Sequence, residues 1–535
     1  MDEHRPALIG RGPWLALAAA PLAFVLLLFG WPLVAILVRG LQEGGALDAL
    51  SNPGVRSVAR FTVVQAAAST ALTLVAGMVP AYVLARYRFR GRRAVQALLT
   101  VPFVLPTVVV GAAFLALLPS RWHGTVGAIL VAHVFFNLAV VVRTVGGLWA
   151  QLDPALEDAA RTLGASPWRV ARYVTLPLLW PAIVAAASIV FLFTFTSFGV
   201  VRILGGPRHP TLEVEIYRRF VQLGDLGGAA AIAIVQLVAV AVLLVWWGRS
   251  QERHARALRL RPVAVRRRPH GARQWALVVS TCVLSATFVL VPLVRLGERS
   301  LWTGASHGVA GWRLLAEREQ PGIGAEAPLA SLWASLRFAA VAALIATVVG
   351  GLAALAIAHG RRAGHLLDTG LMLPLGTSAV TIGFGLVITF DAPPLDLRGS
   401  AALIPLGHAL IAIPFVVRIA LPVLRAIDPG LRDAAATLGA SPLSVVRRLD
   451  VPIVARPLLA GAAFAFAISM GEFGATSFLT RRGQRTMPVV IDTLLGRPGA
   501  VTAAEAYALA TVLLAVTLAV VVAFDVLRGD AEGVF

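Results

Sequence analysis

Apolar stretches, each about 20 residues or longer, alternate with short polar segments along the whole chain. Twelve stand out: Trp14–Val38, Phe61–Leu84, Gln96–Leu118, Val126–Leu148, Pro181–Val201, Gly227–Trp247, Trp275–Val294, Leu332–His359, Leu367–Phe390, Ala401–Leu421, Pro457–Leu479 and Thr502–Val526. A helix of that length crosses roughly 30 Å of hydrocarbon with every backbone group satisfied internally. The strands of a membrane barrel would instead be about 10 residues long with alternating polarity. The pattern therefore predicts an all-α polytopic membrane protein with about 12 transmembrane helices. The first stretch follows Arg5 and Arg11 and has small residues at Ala18 to Ala20, as a secretory signal would. It runs well past the 7–15 residues of a signal core, so an uncleaved first span is expected.

The same pattern recurs in a second, more specific form. Residues 153–182, DPALEDAARTLGASPWRVARYVTLPLLWPA, align without a gap on 428–457, DPGLRDAAATLGASPLSVVRRLDVPIVARP, with 15 of 30 positions identical. The offset of 275 residues persists outward: His133 falls on His408, Arg143 on Arg418, Phe198-Gly199 on Phe473-Gly474, and Thr211 on Thr486. One register held this long indicates a duplicated unit. The chain divides accordingly into a first half over 1–248, an arginine-rich linker over 249–274, and a second half over 275–535. Six spans per half give both halves the same orientation, and a substrate path is expected between them.

Composition agrees with the pattern. The 535 residues are 58% hydrophobic and 14% charged, with a mean hydropathy of +0.81. That balance is far from a soluble domain's. The formal charge of +20 would suggest nucleic acid, but the arginines are spread through short loops between apolar runs. The excess of cationic residues in alternate loops accounts for them and predicts cytoplasmic N- and C-termini in a bacterial inner membrane, with no nucleic-acid partner. Arg86, Arg88, Arg90, Arg92 and Arg93 carry this bias most strongly, as do the nine arginines between Arg249 and Arg273. Cys282 is the sole cysteine, which excludes an internal disulfide and a multi-cysteine metal site.

Inside each repeated segment the residues spell an elbow. Asp153 can cap a helix that begins at Pro154 and stops at Gly164, and Ser166-Pro167 starts another. Asp428, Pro429, Gly439, Ser441 and Pro442 repeat the device. Two such elbows, both expected on the cytoplasmic face, predict two equivalent docking events and hence a two-fold partner.

These residues resemble the cytoplasmic EAA motif of binding-protein-dependent ABC importer permeases: E-A-A, three residues, G, nine residues, I-x-L-P. The first copy matches at Asp158, Ala159, Ala160, Gly164, Val174, Leu176 and Pro177, and the second at Asp433, Ala434, Ala435, Gly439, Leu449, Val451 and Pro452. Asp replaces Glu in both copies, Val or Leu replaces Ile, and Val451 replaces Leu. The resemblance implies a fold of two fused six-span halves, coupling elbows seated in a separate ATPase present in two copies, and an external substrate-binding protein. Fused permeases of this length resemble the thiamine and ferric-iron branches. The runs AHVFFNLAVVVR at 132–143, LGGPRHPTLEVEIYRRF at 204–220 and GEFGATSFLTRRGQRTMPVVIDTLL at 471–495 look more like the thiamine type. Thiamine is therefore the favoured solute and ferric iron the alternative. The chain contains no lysine, so it cannot carry the Gly-Lys-Ser/Thr loop that binds ATP phosphates. No cofactor is expected on this chain; ATP and magnesium belong to the partner ATPase.

Glu472 near the end of an apolar span, with Ser197 at the matching place in the first half, is a candidate for the substrate path, because an ionisable group in a membrane is costly without water or a partner. His133 and His408 occupy equivalent positions and join this set, though two histidines make a poor metal site and hydrogen bonds between helices suit them better. The loops 202–225 and 480–500, with Glu213, Glu215, Tyr217, Arg208, Arg218, Arg219, Arg481, Arg482 and Arg485, are candidates for docking the binding protein. A gradient-driven secondary transporter is the competing class. It would carry mid-span carboxylates for ion coupling, which are nearly absent, and would leave the two elbows without a purpose. A membrane enzyme would need a clustered catalytic or metal set; no HExxH motif or nucleophile elbow is present, and no catalytic residue is assigned.

Overall fold

The computed structural model describes residues 11–42, 45–254, 266–304, 306–317, 327–360, 362–391, 393, 395–397, 399–481 and 483–528. Part of the arginine-rich linker and Arg482 lie outside them. The first half contains α1 (Trp14–Gln42), α2 (Pro53–Arg86), α3 (Arg92–Val104), α4 (Thr107–Leu117), α5 (Val126–Gln151), α6 (Pro154–Thr162), α7 (Pro167–Phe195) and α8 (Leu226–His254). The second contains α9 (Gly271–Ser300), α10 (Ala330–His359), α11 (Arg362–Gly376), α12 (Ala379–Thr389), α13 (Leu403–Ala426), α14 (Pro429–Thr437), α15 (Pro442–Gly471) and α16 (Ala500–Arg528).

Among the described residues ten helices are long and apolar enough to cross a bilayer. The third and ninth expected spans are not straight: α3 meets α4 at 103°, and α11 meets α12 at 100°. Pro106 lies at the first corner, where Leu105 is extended, because the ring disfavours helical backbone in the preceding residue. At the second corner Ser378 is extended and its hydroxyl accepts from the N–H groups of Val380 and Thr381, restarting the helix. By length and composition the described residues thus hold ten candidate spans, or twelve if each bent pair is one span.

Contacts gather the chain into two compact units that cut across the sequence halves. One unit comprises 1–47, 216–234 and 300–535; the other comprises 48–215 and 235–299. In the first unit, α1 packs Ala18 among Ala342, Ala346 and Ala353 of α10, and the Trp14 indole donates to the Ala356 carbonyl at 2.8 Å. In the second, α9 lays Val278 against Val83 and Tyr87 at the end of α2. Inside each unit two helices cross closely through a glycine. A methyl on Gly77 of α2 would come within 2.6 Å of Val141 of α5, and one on Gly350 of α10 within 3.0 Å of Val416 of α13. Small residues at such crossings allow backbones to approach where apolar burial alone gives no preference over lipid.

Candidate functional site

Both elbows form as their residues dictate. The Asp153 carboxylate accepts from the Ala155 N–H at 3.0 Å, and the Asp428 carboxylate accepts from the Gly430 N–H at 2.8 Å. Gly164 and Gly439 take φ of +81° and +80°. They close the helices with the same paired bonds: Gly164 N–H to Arg161 carbonyl and Ala165 N–H to Ala160 carbonyl, then Gly439 N–H to Ala436 and Ala440 N–H to Ala435, all between 2.9 and 3.0 Å. This six-to-one and five-to-two pattern needs the left-handed backbone that glycine adopts without strain. The hydroxyls of Ser166 and Ser441 accept from the N–H groups of Arg169 and Ser444 and start the following helices.

A wider turn then opens each long helix. Residues 171–175 and 446–450, one repeat apart, form π-turns closed by Leu176 and Val451. Pro177 and Pro452 follow immediately; lacking an N–H, each leaves a carbonyl one turn earlier unpaired and favours the wider bond. The proline of the motif is thus a structural instruction, and it is exposed, as are Leu176 and Val451. Asp158 lies on the outer side of α6 in an exposed pair with Arg161 at 2.7 Å, while Asp433 is also exposed. Ala159 and Ala434 are exposed, and Ala160 and Ala435 are half-buried.

Each elbow presents three apolar side chains outward at matching positions. Leu156, Leu163 and Trp168 are 50%, 88% and 71% exposed; Leu431, Leu438 and Leu443 are 52%, 88% and 67% exposed. Leu156 and Leu431 lie on the short helices α6 and α14, Leu163 and Leu438 directly after them, and Trp168 and Leu443 in the first turn of α7 and α15.

Beneath each elbow lies a polar cluster that the sequence analysis did not identify. Glu157 of α6 accepts from Arg86 at 2.5 Å and from the Thr175 hydroxyl at 3.0 Å, and Arg86 also donates to the Leu152 carbonyl. In the second copy Arg432 of α14 contacts Asp450 at 2.8 Å and donates to the Leu424 carbonyl, while His359 places Nε2 3.0 Å from the other Asp450 oxygen. The available signal was a charge of opposite sign at one register: Glu157 against Arg432.

The path candidates assemble as two separate joints. His133 lies 3.0 Å from the Ser69 hydroxyl through Nδ1 and 2.9 Å from the Ser197 hydroxyl through Nε2. His408 places Nδ1 2.6 Å from Ser469, and Nε2 2.7 Å from Thr476 and 3.2 Å from the Glu472 carboxylate. Glu472 ends α15, and its carboxylate accepts from the N–H groups of Ala475 and Thr476 at 2.8 and 2.9 Å, capping the short helix Thr476–Leu479. The buried carboxylate holds the break between these helices. Among the described residues no three His, Cys, Asp or Glu side chains converge on a metal position.

The loop residues divide. Glu213 and Glu215 are 0% and 5% exposed, and Glu213 pairs with Gln236, so these carboxylates are interior and do not form the docking surface expected of them. Tyr217, Arg481 and Arg485 line a cavity of about 390 Å³ with Phe220, Phe478 and Asp492. It lies at the far end of α15 from the elbow, since Gly471 closes the helix that the elbow opens.

The family described as the binding-protein-dependent transport system inner membrane component matches residues 73–257 and again 320–528. A thiamine transport system permease protein of Brucella abortus is 27% identical over 535 residues, covering 94% of this chain and 93% of its own. Its counterpart in Escherichia coli is 26% identical, covering 83% and 85%. A sulfate transport system permease protein of Escherichia coli is 34% identical over 238 residues, which is 42% of this chain and 86% of that one. Two family matches, one on each repeat and each containing an elbow, show that the chain belongs to the binding-protein-dependent transport system inner membrane component family, as an ABC importer permease.

Proposed function

We propose that this chain provides the membrane passage of an ATP-driven thiamine importer, with a separate ATPase seated on the two elbows and an external binding protein delivering the solute. The matching exposure of three apolar side chains on each elbow carries the reading: an apolar surface repeated at the same end of two equivalent spans suits two copies of one partner. The elbows and both termini face the cytoplasm of a bacterial inner membrane in this reading, which the site of ATP hydrolysis requires and the arginine bias supports. The chain is not an enzyme by itself.

Thiamine is favoured by relatives that match over most of the chain and bear that solute in their names, those of Brucella abortus and Escherichia coli among them. The cavity at the far end of α15 offers aromatic faces at Tyr217, Phe220 and Phe478 for an aromatic ring, while Arg481 and Arg485 beside Asp492 give it no net negative charge to favour a cation. Uptake of labelled thiamine, sulfate and ferric iron by cells expressing the chain with its ATPase and binding protein tests the solute. Thiamine accumulation dependent on this chain is expected; accumulation of sulfate or iron instead overturns the assignment.

A further inference from the structure

We propose that the polar clusters beneath the elbows are one mechanical tie built twice with opposite polarity, each fastening an elbow to the helix ends that must move with it. The proposal deepens the reading of the elbows as ATPase seats and rests on it. The correspondence is position by position. Glu157 and Arg432 are one repeat apart, as are Thr175 and Asp450, and Arg86 and His359 are the last residues of α2 and α10. In the first half the acid is on the elbow helix and the base on the spanning helix. In the second the base is on the elbow helix, and the acid has moved to the end of the π-turn. His359 stands where Arg86 stands, with Nδ1 2.9 Å from the Leu355 carbonyl and Nε2 toward Asp450, so both ring nitrogens face oxygen.

Each cluster joins the same four segments: the end of α2 or α10, the end of α5 or α13, the elbow helix, and the π-turn. The elbow helices bury little besides these groups. No residue of α6 is fully buried, and Arg432 is the one fully buried residue of α14. The charged atoms are enclosed: the Arg86 and Glu157 side chains are 6% and 14% exposed, and those of Arg432 and Asp450 7% and 0%. An enclosed ion pair is costly to separate because each partner is left uncompensated, so the cluster moves as a body or breaks. A force applied at the exposed leucines therefore passes through it to the ends of the spanning helices. Glu157, Arg86, Thr175, Arg432, Asp450 and His359 are positioning residues, acting through the elbow rather than on solute or nucleotide.

The test uses the full transporter in proteoliposomes and reads solute moved per ATP hydrolysed, together with ATPase co-purification. Glu157→Gln and Arg432→Gln each should retain the ATPase and lower the transport-to-hydrolysis ratio roughly tenfold, the scale of a coupling change of this kind. Transplanting the second half's polarity, Arg86→His with Glu157→Arg and Thr175→Asp, should recover most of the ratio that Glu157→Arg alone loses. Thr175→Val serves as a milder variant should the charge changes prevent insertion, with a smaller drop in the same ratio expected. Unchanged ratios in the neutral variants, or a triple variant as impaired as Glu157→Arg alone, overturn the tie. Failure of the unaltered chain to retain an ATPase would instead overturn the seat reading on which the tie depends.

Discussion

Single residues at the breaks in the spans explain why charge is tolerated deep in this chain. The Glu472 carboxylate is buried, and its oxygens accept from two backbone N–H groups and the Thr476 hydroxyl, with His408 alongside. Glu472→Gln keeps the shape and removes an acceptor from a fully enclosed site, which costs about 1–3 kcal/mol by the usual scale for an unsatisfied buried partner. A lowered melting temperature of the detergent-solubilised protein is the expected outcome, and an unchanged one would mean that the cap bears no load. The sequence made Glu472 conspicuous because an ionisable group stands at the end of an apolar run, and placed His408 in the same set. It could not show that Ser469 and Thr476 complete the joint, because that depends on how the chain turns after Gly471. The polar ties are the same case: Arg86 and Glu157 are 71 residues apart, and no local pattern links them.

Elements defined by local chemistry were the most legible. Capping aspartates, the glycines at the helix ends and the Ser-Pro restarts predict both elbows, and all are found where expected. The spanning helices were legible by length, but periodicity alone cannot show that Leu105-Pro106 and Ser378 bend two of them by about a right angle. Nor does it announce the π-turns ahead of Pro177 and Pro452, which widen the helix where Thr175 and Asp450 must turn inward. The elbows supply the prediction proper to this scale. Gly164→Pro with Gly439→Pro imposes φ near −65° where +81° and +80° are required, and removes two N–H groups that bond within the turns. The double variant should insert at normal levels and lose transport; full uptake would show that elbow geometry is immaterial.

Across the whole molecule the duplication dominates. It was legible because the 275-residue register survives in motif, histidine and loop positions alike. The membership of the two compact units was not, since α1 and α9 each join a unit made largely from the other half, and nothing in an apolar run names its packing partner. The duplicated elbows express the same symmetry at the surface, where the account is most exposed to test. The most direct measurement is ATPase retention by purified chains carrying Leu163→Asp and Leu438→Asp together. Both positions are 88% exposed, so the protein should insert and melt as before. The account predicts that the ATPase no longer co-purifies and that uptake ceases; full retention of the ATPase would contradict it.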